Sequence, residues 1–175
     1  MSGHVALVVT AAPLARQLDR ILTTLTTAGW RVTVCPTEAA RDWIPKVPDD
    51  ILLSQRIRPD AVICCPATFN TLNKWAAGIN DSPALGVLND AIGLSTPILA
   101  VPMAAERLTA HPAWEATLTF LRRARVDVME LATGQLTPSP AGVVSGTGED
   151  VAQRFDPELL LTWLEGAHRG LSRAD

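Results

Sequence analysis

The segment Asp60-Ala61-Val62-Ile63-Cys64-Cys65-Pro66-Ala67-Thr68-Phe69-Asn70-Thr71 decides the predicted fold. Its first half is an apolar run that is typical of a strand buried on both faces of a parallel sheet. The proline should end this strand, and the hydroxyl and amide side chains that follow suit the start of a helix. Such a turn presents backbone N–H groups and short polar side chains at a helix N-terminus. This arrangement suits a phosphate or a polar ring edge.

Apolar runs alternate with amphipathic helical patterns on either side of this segment, which is the α/β pattern. Strands are predicted at residues 4–11, 31–36, 60–65, 97–101 and 126–131. Helices are predicted at residues 13–28, 38–44, 70–77, 83–92, 114–125 and 157–168. The expected architecture is a Rossmann-like (flavodoxin-like), doubly wound parallel sheet with helices on both faces, in a single domain over residues 1–175.

Composition and charge exclude several classes of function. The chain has 175 residues and a net charge of −3, with no basic stripe that could follow a nucleic-acid backbone. No apolar run approaches the length of a membrane span, and the N-terminus lacks the pattern of a signal peptide. We therefore expect a cytoplasmic protein with no nucleic-acid or membrane partner.

The cysteines are expected to be part of the apolar core. All three, Cys35, Cys64 and Cys65, fall in or beside predicted interior strands. Free cysteine there behaves as a small apolar side chain. No Cys or His pairs have the spacing of metal ligands, so neither a disulfide framework nor a metal site is predicted.

Polar residues follow three of the predicted strands at their carboxyl ends, where sheets of this kind bind ligands. They are Thr10, Thr37, and the pair Thr68 and Asn70. Each has a simpler interpretation as a helix cap, which is an equal alternative for Thr10 and Thr37. The chain has neither a GxGxxG fingerprint nor a P-loop, so a dinucleotide or ATP is disfavoured.

The segment Pro66-Ala67-Thr68-Phe69-Asn70-Thr71 resembles the PASANT signature of the homo-oligomeric flavin-containing cysteine decarboxylase family. Thr68 replaces the family's serine and Phe69 its second alanine, whereas Asn70 and Thr71 match. Residues 37–44, 74–81 and 111–113 are similar to further parts of the family's pattern. The resemblance therefore extends over most of the chain.

This resemblance implies an FMN cofactor held between the protomers of a homotrimer, which commonly assembles further into a dodecamer. The phosphate is expected near Thr10, Thr37 and the small residues beside them, and the ring near residues 66–70. The implied cofactor-binding residues are Thr10, Ala11, Ala12, Thr37, Ala39, Trp43, Pro66, Ala67, Thr68, Phe69, Asn70 and Met103.

The chain departs from the family at the positions that carry the chemistry. Ungapped counting places Leu52 at the family's catalytic histidine and Ala105 at the asparagine that should hold the substrate carboxylate. Neither side chain can transfer a proton or bind a carboxylate. The catalytic residues are thus unknown, and the replacement candidates are Arg56, Arg58 and Arg107 as carboxylate-binding groups and His111 as acid or base.

The family's phosphopantothenoylcysteine decarboxylases reduce an enethiol with a cysteine near the C-terminus, and this chain has no cysteine after Cys65. We therefore expect oxidative decarboxylation, or a related oxidation, of a small-molecule or peptide thiol that stops at the enethiol. The alternative is a non-decarboxylating flavin-binding accessory or regulatory protein. Flavin prenylation, as in the superfamily's prenyltransferase branch, fits the PATFNT turn less well. Residues 134–156 are expected to be a flexible loop, acting either as a substrate clamp or as plain surface.

Overall fold

The computed structural model describes residues 3–48, 51–52, 58–137 and 146–171. Its centre is a five-stranded parallel sheet with the order β2-β1-β3-β4-β5. The strands are β1 (His4–Val9), β2 (Arg31–Pro36), β3 (Ala61–Ala67), β4 (Ile98–Pro102) and β5 (Val126–Val128). This strand order confirms the predicted flavodoxin-like, doubly wound fold.

Helices connect the strands and cover both faces of the sheet. They are α1 (Leu18–Thr27), α2 (Phe69–Ala76), α3 (Pro83–Gly93), α4 (Glu106–Thr109), α5 (Pro112–Arg123), α6 (Glu149–Arg154) and α7 (Glu158–Leu171), with 3-10 turns at Pro13–Gln17 and Glu38–Ala40. Among the described residues, none of these helices combines the length and apolarity needed to cross a bilayer.

The alternation of side chains along β1 divides the core into two layers. Val5, Leu7 and Val9 point to the layer that is completed by α1 and α7. Ala6 and Val8 point to the layer that is completed by α2, α3 and α5. Every residue of β1 and β3 is buried, which explains why their sequences are apolar throughout instead of alternating.

The proline of the fold-deciding segment does not end β3, contrary to the sequence prediction. Pro66 and Ala67 continue the strand, and the N–H of Met103 donates to the carbonyl of Ala67 at 2.9 Å. The pairing with β4 shifts register between Cys64 and Ala67. Proline lacks an N–H donor and is tolerated inside a sheet at such an irregularity.

Two other expectations need correction. The predicted helix at residues 38–44 contains only the 3-10 turn Glu38–Ala40. The predicted loop at residues 134–156 contains α6, whose first turn carries Glu149 and Asp150, side chains that interact favourably with a helix N-terminus. Residues 138–145 of that loop lie outside the described residues.

Gly134 is required where the chain turns back from β5 against α7. Its φ is +69°, and a Cβ at this position would collide with the Leu159 side chain. Gly78, which follows α2, has a similar φ of +70°, but a Cβ there would meet no atom within 4 Å. Substitution of Gly78 would therefore cause backbone strain alone, whereas substitution of Gly134 would cause the same strain and a steric collision.

We expect Gly78→Ala to lower the free energy of unfolding by about 1–2 kcal/mol through left-handed strain alone. Gly134→Ala should cost about 1–3 kcal/mol more, because Leu159 must also move. Urea denaturation of both variants measures the difference. When Leu159→Ala is the reference protein, Gly134→Ala should cost less than it does in wild type, because the side chain that must move is gone. Equal costs of Gly78→Ala and Gly134→Ala in wild type would contradict the proposed contact with Leu159.

Candidate functional site

The Thr10 hydroxyl ties together the turns that follow β1 and β3. Its Oγ1 donates to the carbonyl of Pro66 at 2.7 Å and accepts the N–H of Thr68 at 3.0 Å. Thr10 is only 1% exposed. The hydroxyl is thus engaged in both directions, and its role is to position the turn at the start of α2.

The first turn of α2 presents unpaired donors at the carboxyl edge of the sheet. Thr68 is the N-cap residue, but its hydroxyl donates to the Thr71 hydroxyl at 3.2 Å and caps no helix N–H. Within the described part of the chain, no acceptor receives the backbone N–H of Phe69, Asn70 or Thr71. The Asn70 side chain is exposed beside them. This helix start can therefore bind an anion or carbonyl oxygens.

The turn after β2 lies at the same edge because β1 pairs with both β2 and β3. The N–H of Thr37 donates to the carbonyl of Val9 at 2.9 Å, which holds this turn against the end of β1. Thr37 and Ala11 are half-buried, Ala39 is exposed and Ala12 is buried. The sheet topology brings together the three polar turns that the sequence singled out.

Trp43 and Met103 lie behind this edge. The Arg16 guanidinium lies over the half-buried Trp43 ring, 4.7 Å from its centroid, and Arg16 also pairs with Glu149 at 3.1 Å. Met103 is 2% exposed and packs in the core layer beneath α1 and α7. One face of Trp43 is therefore already covered by a cation, and Met103 supports the turn mainly through its backbone bond to Ala67.

Phe69 packs against the start of α5. Its ring stacks on Trp114, with centroids 6.3 Å apart and planes at 12°, and meets the edge of the His111 ring at 5.8 Å. The Nδ1 of His111 accepts the N–H of Ala113 at 3.0 Å and caps α5. In the neutral ring the proton is therefore on Nε2.

The structure places the other candidates as follows. Leu52 forms a parallel bridge with Val34 at the outer side of β2 and is half-buried. Ala105 is the N-cap of α4 and has no side chain that could cap it. Arg58 and Arg107 are exposed, and Arg56 lies outside the described residues.

A cleft of about 390 Å³ lies at the carboxyl end of β2, and we call it the β2 cleft. It is lined by Cys35, Pro36, Thr37, Glu38, Arg41, Leu52, Asp81, Ser82 and Pro83. Arg41 has no sequence signature of a binding residue, because its three-residue spacing from Glu38 is typical of a solvated surface pair. Only the tertiary contact between the turn after β2 and the start of α3 gives Arg41 a cleft to face.

A larger cavity, of about 620 Å³, lies between α7 and the amino ends of β4 and β5. Ile98, Asp127 and Trp163 contribute to its walls, and Trp163 Nε1 donates to the Asp127 carboxylate at 2.8 Å. It is at the opposite edge of the sheet from the polar turns. Because ligands of such sheets bind at the carboxyl edge, volume alone does not identify the functional site.

The cysteines are not nucleophiles in this structure. All three are free and buried, which confirms that they belong to the core. Burial raises the pKa of Cys35 to about 11 and raises the pKa values of Cys64 and Cys65 well above the usual range. A thiolate is the reactive form, so these thiols are unreactive near neutral pH. Among the described residues, no group of three or more His, Cys, Asp or Glu side chains could hold a metal ion.

We expect Thr10→Val to lower the free energy of unfolding by about 1–3 kcal/mol, because the Pro66 carbonyl and the Thr68 N–H would lose their partner. Thr10→Ser keeps the hydroxyl and is the matched control. Denaturant titration measures both variants. If Val and Ser at this position gave the same stability, the hydroxyl would not be holding the two turns together.

The profile of the flavoprotein family matches residues 49–151, which is more than half of the chain. The coenzyme A biosynthesis bifunctional protein CoaBC of Mycobacterium bovis is 29% identical over 136 residues, which cover 67% of this chain and 32% of that protein. The chain spans about a third or less of the length of the curated relatives it matches.

Solved structures share the fold. A PPC decarboxylase variant complexed with pantothenoylaminoethenethiol has a TM-score of 0.70 and 17% identity, covering 94% of this chain and 97% of that chain. The FMN-dependent cysteine decarboxylase TvaF from thioviridamide biosynthesis has a TM-score of 0.65 and 22% identity, covering 74% of this chain and 91% of that chain. At this identity the similarity establishes the fold, whereas the family is established by the profile: the protein belongs to the flavoprotein family.

Proposed function

We propose that this protein binds FMN at the carboxyl edge of its sheet and catalyses oxidative decarboxylation, or a related oxidation, of a cysteine-like thiol. The observation that carries the proposal is the open first turn of α2. Its unpaired N–H groups and the exposed Asn70 amide lie where three polar turns converge, in a chain of the flavoprotein family.

The residues at this edge fit a flavin mononucleotide. The α2 donors match a single phosphate or the carbonyl oxygens of the ring, and no dinucleotide fingerprint is present for a second phosphate. When bound, FMN would supply the two-electron oxidation. The chain would bind and orient the cofactor through the first turn of α2, with Thr10 holding that turn in place.

The substrate would be a thiol with a carboxylate on the neighbouring carbon, either a small molecule or the C-terminal cysteine of a peptide. Oxidation removes two hydrogens from the thiol-bearing side chain, and loss of carbon dioxide then leaves an enethiol. The buried cysteines, whose pKa values are raised, do not offer a thiolate to reduce that product. We therefore propose that the reaction ends at the oxidised enethiol.

His111 is the candidate for proton transfer, in place of the histidine that the family resemblance implies at the position of Leu52. It is exposed, packs on Phe69 within the polar turn, and keeps Nε2 available while Nδ1 is bound to the backbone. Because Nδ1 is occupied as an acceptor, the Nε2–H of the neutral ring is the group that can donate a proton or a hydrogen bond.

One observation favours a second candidate function, a flavin-binding protein without decarboxylase activity. Leu52 and Ala105, both apolar, stand at the positions where the resemblance to the decarboxylase family implies a histidine and an asparagine. In that case FMN would still bind at α2, because neither residue belongs to that helix.

We also propose assembly as a trimer or dodecamer with the flavin site at the contact between subunits. In the single chain the first turn of α2 is open on its outer side, which leaves room for a second copy to complete the site. Trp75 of α2 is not part of such a contact surface, since it is 1% exposed and packs in the core.

We expect the purified protein to be yellow or to become so with added FMN, with one FMN per chain and little FAD. Asn70→Asp should weaken FMN about tenfold or more, because a donor becomes a carboxylate beside phosphate or ring carbonyls. Fluorescence titration measures the affinity. Gln135→Glu makes the same charge change away from the polar turns and should have no effect. A protein that takes up no FMN would refute the proposal.

We expect the FMN-loaded protein to convert peptides ending in cysteine to products lighter by carbon dioxide and two hydrogens, as measured by mass spectrometry. Peptides with a C-terminal amide are the control, since they have no carboxylate to lose. Phosphopantothenoylcysteine should not be converted to the fully reduced thiol, because no cysteine follows Cys65 to reduce the enethiol. Flavin binding without any mass loss would favour the accessory function, and rapid formation of the fully reduced thiol would contradict the proposal that the reaction ends at the oxidised enethiol.

A further inference from the structure

The β2 cleft is lined by one positively charged side chain, Arg41, which has no role in the proposed function so far. Its volume of about 390 Å³ lies within the range of small-ligand sites, roughly 300–1,000 Å³. Three of its lining residues, Glu38, Arg41 and Asp81, carry a formal charge. How these charges are paired determines what the cleft can bind.

Asp81 is neutralised by Lys74, whose Nζ lies 2.7 Å from the Asp81 carboxylate. Glu38 approaches Arg41 only at 3.7 Å, and its side chain is 96% exposed. A pair this long and this exposed contributes little. The Arg41 guanidinium therefore keeps donors for a ligand, and its charge reaches into the cleft, where it partly offsets the effect of burial on the pKa of Cys35.

The rest of the wall suits a carboxylate. A guanidinium offers a planar fork of N–H groups that matches the two oxygens of a carboxylate. Ser82 and Pro83, at the start of α3, line the cleft as well, and the N-terminus of that helix favours negative charge. Leu52 adds an apolar wall.

We propose that Arg41 binds the carboxylate of the substrate and so takes over the role of the asparagine that is absent at Ala105. This inference rests on the proposed function. The flavin phosphate is the competing occupant, because Thr37 belongs to the polar turns and also lines the β2 cleft. The substrate carboxylate is favoured, because α2 offers the phosphate its own donors and no residue of α2 lines the cleft. Cofactor and substrate anions are then held by different elements.

The test measures binding without turnover. FMN-loaded protein is titrated by calorimetry with a short peptide ending in serine, which cannot be oxidised as a thiol, and with its C-terminal amide. We expect wild type to bind the acid roughly 10–100-fold more tightly than the amide, as for a charge-assisted hydrogen bond of about 1.5–3 kcal/mol. Arg41→Gln should remove this preference, and Arg41→Lys should keep part of it.

Arg123→Gln is the matched control, since Arg123 is exposed on α5 and does not line the β2 cleft. Equal binding of acid and amide by wild type, or an unchanged preference in Arg41→Gln, would overturn the inference. FMN and riboflavin are titrated in parallel. If Arg41→Gln weakened FMN but not riboflavin and left the peptide preference unchanged, Arg41 would bind the cofactor phosphate and the inference would fail. Loss of FMN binding in wild type would instead refute the proposed function.

Discussion

Burial of β1 and β3 on both faces is the constraint from which the rest of the architecture follows. Strands covered on two sides need helices on two sides, and parallel neighbours need crossover connections to place them there. All carboxyl ends then meet at one edge, where the turns after β1, β2 and β3 converge. The candidate site is a consequence of this burial, because no single turn could assemble it.

At that edge the shape of the candidate site depends on the Thr10 hydroxyl, whose hydrogen bonds are all made within the protein. Thr10 satisfies the Pro66 carbonyl and the Thr68 N–H at once, so the turn before α2 is held without using the donors of the helix itself. A turn that capped its own helix would occupy one or two of the free N–H groups that a ligand could use. The binding capacity of α2 thus arises because another strand stabilises its N-terminus.

In the proposed reaction, cofactor binding and substrate chemistry depend on different parts of the chain. The proposed cofactor binding uses backbone donors of α2, which do not depend on side-chain identity. Acid–base and carboxylate-binding groups depend on side chains, and the resemblance to the decarboxylase family predicts that both are replaced, at Leu52 and Ala105. The proposed function therefore combines flavin binding by the backbone with a substrate chemistry that differs from that of the decarboxylase family.

Residue patterns alone determined the sheet, most of the longer helices and the polar turns at Thr10, Thr37 and Thr68, because buried strands and helix starts have local signatures. The sequence did not reveal the continuation of β3 through Pro66, since the register shift that tolerates the proline is a property of the pairing with β4. Arg41 had the pattern of a surface charge, and only the packing of α3 against the turn after β2 gave it a cleft. Local order is thus encoded in short segments, whereas hydrogen bonds and clefts between distant segments exist only after folding has brought them together.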